Sequence, residues 1–314
     1  MKGKVIYVMS DNRSGSTLLD QLLGAHSSII SLGEVSHLPA YVLNDRSIYN
    51  PSHPLVCSCG DQIADCEFWK RVAERIERSL DQLQLKPRFY DRRQPRTATE
   101  RLAQILSRRI LYRWPRLSKT QAFRSLLLAE KVGADSFELF DAIFNSTGAD
   151  FLVDSSKDPR RMRFIYEYDP SRVFVIMLGR DVRGIVHSKM KRGRELVAGA
   201  EGWARCMNMM KIAIDGVPSA NVMRMKYEDL CEHPENELQR ICDRLNIDFS
   251  LEMLTRPSAD VHHLGGSPSK FDPARRSISL DQSYMTAFSS EQLVQIREIA
   301  GSAAEEWGYD LAQV

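Results

Sequence analysis

VIYVMSDNRSGSTLLDQLL, residues Val5 to Leu23, changes its hydrophobic period halfway along. Val5-Ile6-Tyr7-Val8-Met9 is a short apolar run rich in β-branched residues, which predicts a buried parallel strand. Ser10-Asp11-Asn12-Arg13-Ser14-Gly15 is turn chemistry. From Ser16 onward Leu18, Leu19, Leu22 and Leu23 recur at helical spacing, with Ser14 or Ser16 as the expected N-cap. A strand that becomes a helix through a tight Gly-containing loop aims backbone N–H groups and the positive helix end at one small volume, a seat for phosphate or sulfate. Arg13, Ser16 and Thr17 add a fixed cation and two hydroxyls. The nucleotide-triphosphate loop G-x-x-x-x-G-K-[ST] is absent, because the first glycine and the lysine after the second are both missing. Taken alone, the stretch reads equally well as an ordinary strand-to-helix turn with a capped helix.

The chain around it has 314 residues, 43% of them apolar, enough for one large α/β domain or two small ones. No run has membrane-spanning length, and Met1-Lys2-Gly3-Lys4 leads straight into the first strand without a signal-peptide core, so a soluble, cytoplasmic enzyme is expected. Six cysteines are too few for a disulfide scaffold and suit a reducing compartment. Net charge is +2, unevenly spread: residues 86–124 hold twelve Lys/Arg against two acids, about +10, leaving about −8 elsewhere. That basic segment reads as a solvated face or, more sharply, as an attractor for an acidic acceptor.

Further along, Ile29-Ile30-Ser31-Leu32 predicts a short strand ending at Gly33-Glu34. Cys57, Cys59 and Cys66, with His53 just upstream, are residue types zinc prefers, but the spacing matches no common finger; a reduced structural loop is the favoured reading. Helical spacing covers Phe68–Leu83, Thr97–Tyr112, Thr120–Val132 and Ser136–Phe144, broken at Pro87, Pro95, Pro115 and Gly133. This predicts a helical insertion at about 45–147, a cap over the site. Strand character returns in Phe151-Leu152-Val153, before Lys157-Asp158-Pro159, and in Val173 to Leu178, before Gly179-Arg180-Asp181. Helices are expected from Val182 to Gly193, from Glu195 to Ile214, from Pro234 to Leu245 and from Glu291 to Trp307. Asn221–Met225 is a further strand, ending at Tyr227-Glu228-Asp229-Leu230, and Pro257–Ser283 is a polar, Gly-rich loop.

Arg13 to Thr17, Glu34, Lys157, Arg180 and Tyr227 all follow the carboxyl end of an expected parallel strand, so one crevice of a doubly wound sheet can gather them. These residues resemble the sulfotransferases that use 3′-phosphoadenosine 5′-phosphosulfate (PAPS). Arg13-Ser14-Gly15-Ser16-Thr17 is similar to their 5′-phosphosulfate loop. Arg180 to Ser188 is similar to the 3′-phosphate motif, whose first Arg and last Ser hold that phosphate. Tyr227-Glu228-Asp229-Leu230 is similar to the stretch whose tyrosine lies near adenine. The order R-S-G-[ST]-T, His26, Gly33-Glu34 resembles the tyrosylprotein branch and its bacterial relatives, in which that Glu is the base; here His26 is followed by Ser27 rather than proline.

The resemblance implies an α/β, P-loop-like three-layer fold, with a central mainly parallel sheet flanked by helices. It also implies transfer of a sulfuryl group from PAPS to an acceptor hydroxyl (tyrosyl, glycan, lipid or small molecule), with PAP as product. Arg13 and Lys157 are assigned to the sulfuryl and bridging oxygen. The loop N–H groups of Ser14, Gly15, Ser16 and Thr17, with the hydroxyls of Ser16 and Thr17, are assigned to the 5′-phosphate. Arg180 and Ser188 take the 3′-phosphate, Tyr227 the adenine, and Ser267 and Lys270 close over the nucleotide. Glu34 is the expected general base, with His37 its rival; the bland alternatives are an ion pair of Glu34 with Arg13 and of Lys157 with Asp154 or Asp158. A sulfuryl group in flight carries less negative charge than a phosphoryl group, so Arg and Lys suffice and no metal is expected at the transfer site. No nucleic-acid partner is expected. The competing readings are a Mg-ATP-dependent kinase and a non-catalytic binder of phosphorylated nucleotides.

Overall fold

The computed structural model describes residues 3–45, 55–88, 97, 102, 117, 120–255, 262–267 and 277–311. Five strands, β1 (Lys4–Ser10), β2 (Ile29–Ser31), β3 (Phe151–Lys157), β4 (Val173–Gly179) and β5 (Val222–Lys226), form one sheet in the order β2-β3-β1-β4-β5. Every pairing is parallel. The strands are apolar on both faces because helices cover both. Val5, Tyr7 and Met9 of β1 join one core and Ile6 and Val8 the other, the period-two alternation of a strand.

In chain order the helices are α1 (Ser16–Leu23), α2 (Leu38–Val42), α3 (Glu67–Ala73), α4 (Gln121–Leu126), α5 (Ala129–Thr147), α6 (Pro159–Tyr168), α7 (Val182–Met190), α8 (Leu196–Ala213), α9 (Tyr227–Glu232), α10 (Pro234–Leu245) and α11 (Ser290–Glu306). Phe140 of α5, Ile165 of α6, Ile185 of α7, Trp203 of α8 and Ala300 of α11 fill the layer against Val5, Tyr7 and Met9. Leu19 and Leu22 of α1 and Leu238 and Ile241 of α10 fill the layer against Ile6 and Val8. The three-layer α/β architecture is as expected, and the sheet is wholly rather than mainly parallel. From β1 the chain runs outward to β2 on one side and later to β4 and β5 on the other. The carboxyl end of β1 is therefore the switch point where such sheets open a crevice.

Three local expectations are corrected. Neither Ser14 nor Ser16 caps α1: the N-cap is Gly15, left-handed at φ 83°, with no side-chain cap. Gly133 does not break a helix. It lies inside α5, where an added Cβ would sit 2.6 Å from Tyr168 Cβ, so its smallness serves close helix packing. The helix expected over Phe68–Leu83 is only α3 plus a 310 turn at Leu80–Gln82, with Trp69, Val72 and Leu83 buried. The expected Thr97–Tyr112 helix and most of the basic segment lie outside the described residues. Among the described residues no helix is long and apolar enough to cross a membrane.

Candidate active site

The loop after β1 carries two left-handed residues, Arg13 (φ 76°) and Gly15 (φ 83°). Gly15 is required twice over. Its φ strains any L side chain, and a Cβ there would stand 2.3 Å from the Tyr227 ring. Gly15→Ala is therefore expected to destabilise the chain by about 2 kcal/mol, read as a lower urea midpoint, and to weaken anion binding by displacing Tyr227.

Arg180, just past β4, meets this loop. Its Nη1 donates to the Arg13 carbonyl at 3.0 Å, and its guanidinium lies over the Tyr227 ring, 4.5 Å from the centroid. Its Nη2 donates to the Asp281 carboxylate at 3.0 Å. Burial would raise the Asp281 pKa, but hydrogen bonds from Ser283 and Arg180 bring it down to about 2. Among the described residues, buried Ser14 Oγ and Arg180 Nε have no hydrogen-bond partner. Both stand where the loop and Arg180 meet, and buried polar groups without a partner are uncommon.

Arg13 reaches two hydroxyls, Ser188 Oγ from Nε at 3.0 Å and Ser267 Oγ from Nη1 at 3.3 Å. Ser188 is thus bonded to Arg13, one turn beyond Gly184, whose added Cβ would lie 3.0 Å from Arg180 Nε. Arg180 thus meets the backbone of the Arg13 loop, while the Arg13 side chain reaches Ser188 of α7.

Lys157 owes its direction to a bulge. Tyr7 pairs with Asp154 and Met9 with Lys157, so β3 holds one extra residue there, and Lys157 itself has φ 71°. An extra residue bends the strand end and re-aims its side chain. Lys157 Nζ pairs with Glu34, beyond β2, rather than with Asp154 or Asp158. Those two carboxylates are held by Arg161 and Arg160. Glu34 therefore pairs with Lys157, not with Arg13.

The Glu34 carboxylate also accepts from the Gly266 N–H at 3.0 Å and lies 3.5 Å from His37 Nε2. Burial by itself would raise the Glu34 pKa, but Lys157, His37 and the Gly266 N–H outweigh it and bring it from 4.5 to about 2. Its contribution to stability is thus complete above pH 4.5 and fades as pH falls toward 2. The acid-side slope of unfolding free energy against pH should accordingly be shallower in Glu34→Gln. His37, in a 310 turn over Val35–His37, sits 2.7 Å from Lys86 Nζ. Burial and that lysine hold its pKa well below the ordinary value, so it is neutral at pH 7.

A second segment completes the site. Leu264 N donates to Leu32 O at 2.9 Å and Leu264 O accepts from Glu34 N at 2.7 Å, an added parallel bridge at Gly33. This strap brings Gly266 to Glu34 and Ser267 N to Thr17 Oγ1 at 3.0 Å. Ser267 was expected over the nucleotide; Lys270 lies outside the described residues. Asp281 on Arg180 and the seating of Gly266 on Glu34 were not foreseen, since an irregular loop has no period to read. Ser16 is buried at the start of α1 beside Thr17. His26 lies apart, accepting from Ser28 N and bonded to Asp248 O at 3.0 Å.

A wholly parallel five-stranded sheet flanked by helices, with the Gly15 loop and Arg180 meeting at its switch point, defines a three-layer α/β fold of the P-loop-like kind. The sulfotransferase family profile matches residues 6–250, and the chain belongs to that family. The chain is similar in fold to the sulfotransferase domain from the curacin biosynthetic pathway (19% identity, 99% of each chain, TM-score 0.57). It is also similar to the sulfotransferase domain from the Synechococcus PCC 7002 olefin synthase (18% identity, 99% of this chain and 97% of that one, TM-score 0.54). No match is found among curated proteins.

Proposed function

We propose that this chain transfers the sulfuryl group of PAPS to an acceptor hydroxyl, with Glu34 receiving the hydroxyl proton. The observation that carries the reading is the meeting of the Arg13 loop and Arg180, joined at 3.0 Å, with Ser14 Oγ of the loop and Arg180 Nε both buried and without a hydrogen-bond partner among the described residues. A donor with two separate phosphate groups needs two such seats in one crevice. Ser14 to Thr17 bind the 5′-phosphate through loop N–H groups and hydroxyls. Arg180 and Ser188 bind the 3′-phosphate, and the Tyr227 ring, already stacked under Arg180, borders the adenine. Ser267, and Lys270 beyond it, close over the nucleotide.

In the transfer itself the acceptor oxygen forms its bond to sulfur as the bond from sulfur to the bridging oxygen breaks, and PAP leaves with that electron pair. Arg13 and Lys157 neutralise the charge on the sulfuryl and bridging oxygens, the preorganised stabilisation that supplies most of such rate enhancements. Lys157 leaves Glu34 when it turns to the bridging oxygen. Glu34 then loses the charge that holds its pKa near 2 and becomes a competent base where the proton is released. Lys86, the first residue of the basic segment, reaches His37 beside Glu34, and an acidic acceptor suits that charge.

The test is transfer of labelled sulfur from PAPS to a panel of tyrosyl peptides, saccharides, lipids and small phenols, without added metal, alongside calorimetry with PAP. Label transfer is expected in the native chain and lost in Arg13→Ala. Arg180→Ala should weaken PAP binding by about 10-fold or more, as removal of a charge-assisted bond to phosphate does. A native chain that fails to bind PAP, or that turns over ATP with Mg²⁺ instead, overturns the reading.

A further inference from the structure

Cys57, Cys59 and Cys66 lie together in the structure, and their fourth companion is His262 rather than His53, which lies outside the described residues. One ligand atom from each of the four falls within 4.8 Å of all the others. His262 Nδ1 is 3.3 Å from Cys66 Sγ and 3.6 Å from Cys57 Sγ, and Cys59 Sγ is 3.7 Å from Cys66 Sγ. With Zn–S of about 2.3 Å and Zn–N of about 2.0–2.1 Å, a regular tetrahedron has edges of about 3.8 Å between sulfurs and about 3.6 Å between sulfur and nitrogen. Three of the six separations match those edges to within about 0.3 Å, and the other three are no longer than 4.8 Å.

The surroundings hold the four in place. Cys57 N donates to Asp61 O at 2.8 Å and Gly60 N to Cys57 O at 2.9 Å, folding Cys57-Ser58-Cys59-Gly60 into a tight turn that keeps both thiols in the one cluster. Cys66 sits at the N-cap of α3, its N–H bonded to Gln62 O at 2.9 Å. The His262 ring is stacked on Phe68, centroids 5.0 Å apart and planes 4° from parallel, so its Nδ1 edge is oriented toward the sulfurs. Ser58 Oγ donates to His263 O at 2.7 Å, tying the two segments together beside the cluster.

We propose that Cys57, Cys59, Cys66 and His262 bind one zinc ion as a closed, structural Cys3His site. Four protein ligands leave no open position, so the ion takes no part in group transfer; it is a staple. What it staples is the strap. Residues 262–267 enter the site from a loop 196 residues beyond Cys66, and His262 stands two residues before Leu264, which bridges to β2 and seats Gly266 on Glu34. The ion fixes the strap's entry at the Cys57–Cys66 turn. The site itself stands on the four ligands alone and holds whatever donor the crevice accepts.

The test is metal analysis of the full chain, expressed with zinc in the medium and purified without chelator or polyhistidine tag. About one zinc per chain is expected to survive gel filtration, falling below about 0.2 per chain in Cys59→Ser and in His262→Ala while His53→Ala keeps its zinc. Cobalt substituted into the native chain guards against misfolded variants: it should give the tetrahedral d–d bands and thiolate-to-cobalt charge transfer of a sulfur-rich site. PAP calorimetry on the same samples separates this site from the donor reading, since stoichiometric zinc without PAP binding supports the first and sinks the second. A cooperatively folding native chain without zinc, one carrying iron in its place, or one with a Cys59–Cys66 disulfide by mass spectrometry overturns the proposal.

Discussion

Glu34→Gln is expected to slow sulfuryl transfer by about 10³-fold or more while leaving PAP affinity within about twofold, because a positioned general base contributes about 10²–10⁴. Glutamine keeps the shape of the side chain and an oxygen that accepts from the Gly266 N–H, so the strap stays seated. It cannot take a proton, and it no longer pairs with Lys157 as an ion. The measurement is single-turnover transfer from labelled PAPS to the acceptor that the panel identifies, with calorimetry on PAP. His37→Asn is the companion arm. Neutral at pH 7 and held against Lys86, His37 should cost less than about 10-fold when replaced. Full activity in Glu34→Gln with loss in His37→Asn would transfer the base role to the histidine.

The largest effect on stability is expected at Arg161, on the layer beneath the site. Its side chain is wholly buried and pairs with wholly buried Asp154 of β3. It also donates from Nε to Leu85 O at 2.6 Å and from Nη2 to Ser136 Oγ at 3.3 Å, and its guanidinium lies 5.6 Å from the Tyr7 ring centroid. Truncation leaves a carboxylate in the core without its counter-charge, which typically costs about 3–5 kcal/mol. Arg161→Ala should therefore lower the unfolding free energy by about that amount in urea titration. Arg161→Lys should recover little of it, since an ammonium on a flexible stem does not reproduce a planar fork with three different acceptors. A loss under about 1 kcal/mol would mean that the core solvates Asp154 by another route.

The strands β1 and β4 were legible because each is an apolar run buried on both faces, β3 only over Phe151–Val153 because Asp154 to Lys157 is polar, and α10 because Pro234 opens it and its apolar period is clean. α8 was legible to within a residue at either end, with Glu195 and Ile214 as its caps. The 45–147 stretch was read least well. Phe68 to Leu83 has helical spacing, yet only α3 forms there, since burial of Trp69, Val72 and Leu83 against the core overrides local propensity. At Gly133 a residue that usually ends helices continues one, because the neighbouring Tyr168 leaves no room for a Cβ.

Among the site residues, the sequence placed Arg13, Glu34, Lys157, Arg180 and Tyr227 at strand ends, and a parallel sheet with one switch point obliges strand ends to share a rim. Their pairings were beyond it. Lys157 meets Glu34 only because a bulge adds one residue to β3, and Ser188 bonds to Arg13 because of where α7 packs. The Cys57–Cys66 turn shows the limit most plainly. Residue types announced a metal-ligand chemistry, and the nearest histidine in the chain was the natural fourth member. The histidine that stands there comes from a loop with neither helical nor strand periodicity, brought in by the backbone bridge at Leu264. Periodicity in a sequence reports which face of an element is buried, and so it yields elements and their ends. Which loops return to the same rim is set by chain closure and packing across the whole molecule, and only the tertiary structure records that.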